Sequence, residues 1–464
     1  MIASSRPYPE YKESGSQWLA RVPSHWEVHN LRTLIRHRNE RNRADLPLLS
    51  VAREKGVFVR SLTDANENHN VIPEDLSNYK VARAGNLVIN KMKAWQGSMG
   101  IAPCDGIVSP AYFVFDFSIA NRAFGQALLR SKPYVAHFGQ SSDGVRVGQW
   151  DLTIAGMRQI PVLVPSPEEQ AAIVRFLYWA NGRLERAIKA KRKVIALLNE
   201  QKQAIIHRAV TRGFDPSVPL KPSGIPWLSD IPQHWVVKKL KFEVSFRGGG
   251  TPSKGNSSYW NGVIPWISPK DMKSEIIHDA KDHITERAVV ESSTNLVPAG
   301  SLLMVVRSGI LQRIIPVALC DREVALNQDM KALSSKGRLD LDYFVFFVRG
   351  CEKQLLREWT KQGATVESVE HQYLANTKVP VPPLSEQKRI VEQLVIETAP
   401  LNTTISRLER EIELLREYRT RLVADVVTGK LDVREAAAKL PKEAAPDGDE
   451  NSDENELSDE EVAV

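Results

Sequence analysis

The sequence contains itself twice. Gly15, Trp18, Pro23, His25, Trp26 and Leu31 recur as Gly224, Trp227, Pro232, His234, Trp235 and Leu240, each displaced by 209 residues. A second set, Glu169-Gln170, Leu197-Leu198, Thr211 and Asp215, recurs as Glu386-Gln387, Leu414-Leu415, Thr428 and Asp432, displaced by 217. Two tryptophans and a Pro-x-His-Trp at constant offset do not arise by chance, and internal repetition constrains a fold before any local signal does. The second copy is longer by 217 − 209 = 8 residues, so the insertion lies inside a block whose flanks keep register. The repeating unit is a globular block followed by a long helix. This gives a first block over 1–165, a helix over 166–212, a second block over 213–383 and a helix over 384–430.

The helices carry their own pattern. Leu401, Ile405, Leu408, Ile412, Leu415, Leu422 and Val426 follow alternating steps of four and three, with Arg419 filling one slot. The same slots in the first copy hold Leu184, Ile188, Lys191, Ile195, Leu198, Lys202, Ile205 and Ala209. That spacing is the seam of a coiled coil. At ~1.5 Å per residue each helix makes a rod roughly 65 Å long, too thin to bury its own seam. The two therefore pair with each other, antiparallel and within one chain, which gives an approximate two-fold repeat. Pro400 stands where the first copy has Arg183. A proline there removes a hydrogen bond, so the first turns of the second helix are expected to form a separate short helix.

The blocks read as mixed α and β, so the class is α+β. In the first, 86–89 and 111–115 are strand-like; 302–306 and 315–319 are their expected counterparts in the second. Residues 122–129 and 341–356 are expected to be helical. Proline-bounded extended segments, 161–165 and 380–383, close the blocks.

Net charge is +6, but the segment from Pro441 to Val464 holds ten Asp/Glu and one Lys, a net of −9, so the remainder carries +6 − (−9) = +15. A basic body suits a polyanionic partner. The stretch 436–464 is expected to be an acidic, disordered tail. Three cysteines without CxxC or Cys/His spacing imply neither a zinc site nor a disulfide framework, and a reducing, cytoplasmic location follows as the default. No apolar run is long enough to span a bilayer. No phosphate-binding loop, dinucleotide fingerprint, metal-binding HExxH or amino-methyltransferase tetrapeptide is present. The expected catalytic and metal-site residues are therefore none.

What recurs beside the strands is basic and amide chemistry. Lys91, Lys93, Trp95 and Gln96 follow one strand, and Arg307, Ser308, Gln312 and Arg313 follow its counterpart. A later pair of loops carries Ser141, Ser142 and Arg146 in the first block and Lys361, Gln362 and Thr365 in the second; Lys254 follows a Gly-rich turn. Arg and Lys can read guanine, Gln can read adenine, and Ser and Thr reach phosphate, so these form the candidate DNA-reading set. Asp279-Ala280-Lys281 could pass for the end of a nuclease carboxylate motif, but the first block lacks an equivalent.

The sequence resembles the specificity subunit of type I restriction-modification enzymes over roughly residues 10–435. The resemblance rests on Ile231-Pro232-x-x-Trp235, Gly249-Gly250-Thr251-Pro252-Ser253 with Tyr259-Trp260 and Ile264-Pro265-Trp266-Ile267, Leu326-Asn327-Gln328-Asp329, and Pro380-x-Pro382-Pro383-Leu384-x-Glu386-Gln387-x-x-Ile390. In the first block, Lys91-Met92 through Gly106-Ile107-Val108-Ser109-Pro110-Ala111-Tyr112 resembles a variant of the same domain. The resemblance implies two target-recognition domains, each reading half of a bipartite, asymmetric site in double-stranded DNA. Helices of this kind would set the gap and dock two methyltransferase subunits, with two restriction/translocase subunits joining for cleavage. The chain would be non-catalytic, part of a site-specific deoxyribonuclease and adenine-specific methyltransferase complex, with AdoMet, ATP and Mg on its partners and no cofactor of its own. The first block departs from the pattern: where the second has Gly-Gly-Thr-Pro it has Ile35-Arg36-His37-Arg38-Asn39-Glu40, so the half-sites should differ. Two other readings fit less of the chain: a free-standing sequence-specific DNA-binding protein, and a Mg-dependent nuclease built on Asp279.

Overall fold

The computed structural model describes residues 6–16, 18–61, 75–143, 150–360 and 367–441. It is a mixed α/β chain with two long helices, Pro167–Arg212 and Leu384–Val427. Two compact units result: Met1–Lys191 with Arg410–Val464, and Arg192–Glu409. Each unit therefore holds one globular block, the N-terminal part of the helix that follows it and the C-terminal part of the other helix.

In the first unit the main sheet has the order Ile35–Arg38, Tyr112–Phe117, Leu87–Asn90, Met99–Ile101, antiparallel throughout. In the second the order is Val244–Gly248, Met330–Ser335, Leu302–Val305, Val317–Cys320, Ile276–Ile277, with only the last pair parallel. The central strands, Leu87–Asn90 and Leu302–Val305, are buried at every position. Alternation explains this, since successive side chains leave opposite faces. Leu87 and Ile89 enter one core and Val88 another; Leu302 and Met304 enter one, Leu303 and Val305 another.

Sheet order corrects one equivalence. The counterpart of Tyr112–Phe117 is Met330–Ser335, because both lie between the edge strand and the central strand. Residues 317–320 correspond instead to Met99–Ile101. The apolar run at 315–319 reads more like a buried strand than 330–335, which carries Lys331, Ser334 and Ser335, and only pairing shows which of them is the equivalent strand.

The repeated motifs meet where each block joins its helix. In the first unit Trp26 is fully buried, and His25 Nε2 lies 2.8 Å from Glu169 Oε2 in the first turn of the helix. In the second, Trp235 is fully buried and His234 Nε2 lies 2.7 Å from Glu386 Oε2. The neighbouring glutamines are buried and bonded at both ends. Gln170 accepts from the Asn121 amide (2.9 Å) and donates to the Pro165 carbonyl (2.8 Å). Gln387 accepts from the Asp340 amide (2.7 Å) and donates to the Pro382 (2.8 Å) and Arg338 (2.9 Å) carbonyls. The joints differ in one respect. Tyr8 Oη donates to Glu169 Oε1 at 2.7 Å, and the Trp26 indole N–H has no partner among the described residues. In the second joint the Trp235 indole donates to Glu386 Oε1 at 3.2 Å. The first joint is also closed by the end of the second long helix: Gly429 takes φ +76°, and a Cβ there would lie 2.4 Å from Pro23.

Within each unit the helix segments run antiparallel. In the first, Glu185 pairs with Arg419 at 3.5 Å and Lys191 with Glu411 at 2.5 Å. In the second, Lys202 Nζ donates to Asn402 Oδ1 at 2.7 Å, while Ile206 and Val210 share a core with Ile390 and Leu394. Of the seam residues, Leu184, Ile188, Ile405, Ile412, Leu422 and Val426 are buried. Ile195, Leu198, Ile205, Leu401, Leu408 and Leu415 are half-buried. The polar residues Lys191 and Lys202 each meet a polar partner across the seam.

Pro400 does not divide the second helix, which is continuous from Leu384 to Val427 with the proline inside it. Three threonine hydroxyls near the proline bond back one turn, Thr398 Oγ1 to Leu394 O (2.7 Å), Thr403 to Ala399 O (3.0 Å) and Thr404 to Pro400 O (2.8 Å), none of them to the Ile396 carbonyl that the proline leaves without its donor. Packing on both sides of Pro400, through Leu394 and Ile405, holds the helix through the missing bond. No helix among the described residues is long and apolar enough to cross a membrane.

Candidate nucleic-acid interface

The turn that leaves the central strand is the focus in both units. In the first, Lys91 follows Leu87–Asn90, and its ammonium lies 2.9 Å from Asp151 Oδ2. The Lys91 carbonyl accepts from the Leu152 amide (2.9 Å), and Leu152 pairs in turn with Ser142. The structure thus brings Lys91, Ser141 and Ser142 together with a segment, 150–152, that the sequence had not singled out. Lys93 is exposed at the start of the short turn Ala94–Gln96, and Gln96 is half-buried. Trp95 is committed locally: its indole donates to the Met92 carbonyl at 3.1 Å and sits edge-on to Trp150 at 5.1 Å. Ser142 Oγ donates to the Phe138 carbonyl at 2.8 Å. Arg146 lies outside the described residues.

In the second unit Arg307 follows Leu302–Val305, and its Nε donates to Asp329 Oδ1 at 2.7 Å. Arg307 bridges Ser368, and the Val369 amide donates to the Val306 carbonyl at 2.8 Å. Lys361, Gln362 and Thr365 lie outside the described residues, but the segments flanking them, Thr360 and 367–369, end at this same turn. Ser308 Oγ caps the short helix Gly309–Gln312 by accepting from the Ile310 amide at 3.4 Å. Gln312 and Arg313 are exposed.

The Gly-Gly-Thr-Pro run packs directly on the Asn327-Gln328-Asp329 turn. A Cβ on Gly249 would lie 2.0 Å from the Asn327 carbonyl, so no side chain fits there. Gly250 N–H donates to the Leu326 carbonyl at 2.8 Å, and the Gly250 carbonyl accepts from the Trp266 indole and the Thr294 hydroxyl, both at 3.0 Å. Thr251 Oγ1 then meets Gln328 Oε1 beside the Arg307–Asp329 pair. These motif glycines let two backbones touch; the side chains at the surface are Thr251, Gln328 and Arg307. Lys254 is exposed farther along the same loop, and no contact places it against Arg307.

Two lysines that sequence reasoning passed over also belong here. Lys80 is buried beneath the first unit's sheet, its ammonium 2.6 Å from the Tyr112 carbonyl. Lys331, on the strand Met330–Ser335, lies 3.1 Å from His371 Nδ1. The only trace in the sequence is a lone cation in an apolar strand. Asp279, by contrast, is on the surface with its Oδ1 2.8 Å from His283 Nε2; a bond from the Ala280 backbone and this histidine hold its carboxyl below the usual carboxylate range. Among the described residues no three His, Cys, Asp or Glu side chains cluster so as to hold a metal.

Residues 232–414, which contain the Gly-Gly-Thr-Pro loop and the Arg307 turn, match the family model of the type I restriction modification DNA specificity domain. The EcoR124I/EcoR124II specificity subunit of Escherichia coli is 44% identical over 168 residues, 36% of this chain and 42% of that protein. The MjaIX specificity subunit of Methanocaldococcus jannaschii is 31% identical over 173 residues, 36% of this chain and 38% of that protein. Residues 232–414 thus carry the type I DNA specificity domain, and over that part the chain is similar to type I specificity subunits. The match spans less than half the length of these curated relatives. The architecture extends further: a chain from a structure of complex assembly and conformational transition of the type I R-M system superposes with TM-score 0.63 over 88% of this chain and 99% of that one, at 16% identity. That likeness concerns the fold. Within this chain the two units share the joint and the sheet plan; the edge strand Ile35–Arg38 holds the place of Val244–Gly248, and Asn39-Glu40-Arg41-Asn42-Arg43 follows it where the second unit has the Gly-Gly-Thr-Pro loop.

Proposed function

We propose that this chain sets the DNA sequence on which a type I restriction-modification complex acts. Each unit reads one half of a bipartite, asymmetric site. The observation that carries this reading is that one scaffold appears twice with unlike surface chemistry at the same place. Lys91 faces Asp151 in one unit; Arg307 faces Asp329, beside Thr251 and Gln328, in the other. Side chains of that kind, at the end of a buried strand, can reach base edges in a groove.

The long helices fix the gap and present docking faces. Tyr178 and Val395 are equivalent under the 217-residue repeat, as are Leu197 and Leu414, and all four are exposed. Apolar side chains exposed at repeated positions favour two copies of one partner, here the methyltransferase subunits. Two restriction/translocase subunits complete the cleaving complex, and AdoMet, ATP and Mg belong to those partners. Adenine methylation by the partner requires the base to leave the stack, so this chain's part is to hold the flanking duplex.

Mapping methylated adenines in DNA from cells that express the chain with its methyltransferase subunit tests the proposal. A bipartite motif with a fixed gap and unlike halves is expected; a continuous palindrome would overturn it. Failure to co-purify with any methyltransferase subunit would favour a free-standing DNA-binding protein. The nuclease reading would need cleavage of duplex DNA by the purified chain that Asp279→Ala abolishes.

A further inference from the structure

Charges taken out of water are almost always paired. Lys80 is an exception. Its residue is only 7% exposed, on the strand Lys80–Ala82. The ammonium donates to the Tyr112 carbonyl at 2.6 Å and lies 5.8 Å from the centre of the Phe113 ring. Among the described residues no carboxylate reaches it. The charges that act on it are Arg41 and Lys91, and with burial foremost they hold its pKa below the ordinary lysine value. His37, across the same sheet face, adds no negative charge; burial, then Lys80 and Arg158, keep it below its ordinary value too.

The second unit repeats the situation with other residues. Lys331 is half-buried, 3.1 Å from His371 Nδ1, again with no carboxylate partner among the described residues, and burial depresses its pKa. Phe246 stands edge-on to His371 at 5.1 Å. The sheet positions coincide. Phe113 and Lys331 each sit on the strand between edge and centre, opposite Ile89 and Met304 respectively. His37 and Phe246 hold the matching place on the edge strands, opposite Phe115 and Leu333. A lysine, a histidine and an aromatic ring therefore occupy one corner of each sheet, although no two matching positions keep the same residue. What recurs is the chemistry, and its common feature is a cation without its anion.

We propose that each unit carries an anion site centred on its unpaired lysine, Lys80 or Lys331, and that a backbone phosphate of the bound duplex fills it. The site rests on the DNA-reading function proposed above. Without DNA the desolvated ammonium costs stability; a phosphate supplies the missing charge and a charge-assisted hydrogen bond. Such a contact fixes the duplex in register and carries no base identity.

The test uses the full chain and a mixed-sequence duplex, with affinity measured from about 50 to about 200 mM salt as log K against log [salt]. Each lost phosphate contact should flatten the slope by about 0.9. Lys80→Met and Lys331→Met are each expected to flatten it by about one, and the double variant by about two. Both should melt at or above the parent temperature in the absence of DNA, and Lys80→Arg should keep the parent slope. Parent slopes in both Met variants would overturn the phosphate sites while leaving DNA reading intact. Absence of salt-dependent duplex binding by the parent chain, alone and with its methyltransferase subunit, would overturn the reading beneath them. Met variants that melt well below the parent would assign the lysines to folding and overturn the proposal. Inorganic phosphate that raises the melting temperature of the parent but not of the variants, with duplex slopes unchanged, would make these small-anion sites and overturn it also.

Discussion

Gln170 and Gln387 look interchangeable with any polar residue in the first turn of a helix. They are fully buried, and each joins a block to its helix through both ends of its amide. Gln387→Ala leaves the Asp340 amide and two carbonyls without partners, so it should cost about 1–3 kcal/mol in urea unfolding of the unit that contains it. The next residue round the helix, Lys388, is exposed and serves as the control; Lys388→Ala should fall within about 0.5 kcal/mol of the parent. Thiol chemistry gives a second check. Burial pushes the Cys351 thiol up to about 12 and raises Cys320 as well, whereas Cys104 is half-buried. At pH 8 a thiol of that pKa is thiolate only about once in ten thousand. Alkylation of the native chain should therefore label Cys104 first, with Cys351 labelled only on unfolding; rapid native labelling of Cys351 would contradict the packing around it. The sequence marked the glutamines as repeated, but the amides and the carbonyl they reach across each joint lie 47–49 positions away and become visible only in the fold.

At the scale of the element, the seam was legible because a period of about 3.5 residues needs no tertiary information. Its polar interruptions were not. Lys191 and Lys202 look like defects until Glu411 and Asn402 appear across the pair. Polar partners at seam positions fix register at some cost in stability. The expected break at Pro400 failed for a related reason: local propensity favours an interruption, while packing of both flanks, through Leu394 and Ile405, supports the continuous helix. Pro400→Ala restores an amide donor, so it should stabilise the chain, by up to about 3 kcal/mol as judged by the denaturation midpoint. An unchanged or lower midpoint would mean that the surrounding structure already compensates the missing bond in full.

For the whole molecule, the prediction concerns length. Inserting about four residues after Glu200 adds roughly one helical turn, ~6 Å. The expected outcome is a longer gap between the two halves of the methylated motif, with the halves themselves unchanged. An identical gap would count against the helices as a ruler. The repeat alone suggested two readers on paired helices. The candidate readers were only partly legible: Lys91 and Arg307 occupy the same turn in their units, while Lys80, Lys331 and Asp151 carry no sequence signal that separates them from ordinary strand and loop residues.

Order along the chain is enough to specify the duplication, the two offsets, the helical period and the proline-bounded ends of the blocks. Each is a property of neighbours or of a constant displacement, so one dimension suffices. Tertiary structure decided which strands are equivalent, what the repeated Pro-x-His-Trp and Glu-Gln motifs join, and which cations lack a partner. Those depend on pairing and on burial. A lysine in a strand is unremarked in sequence; one held under a sheet, with no carboxylate partner among the described residues, becomes a request for an anion.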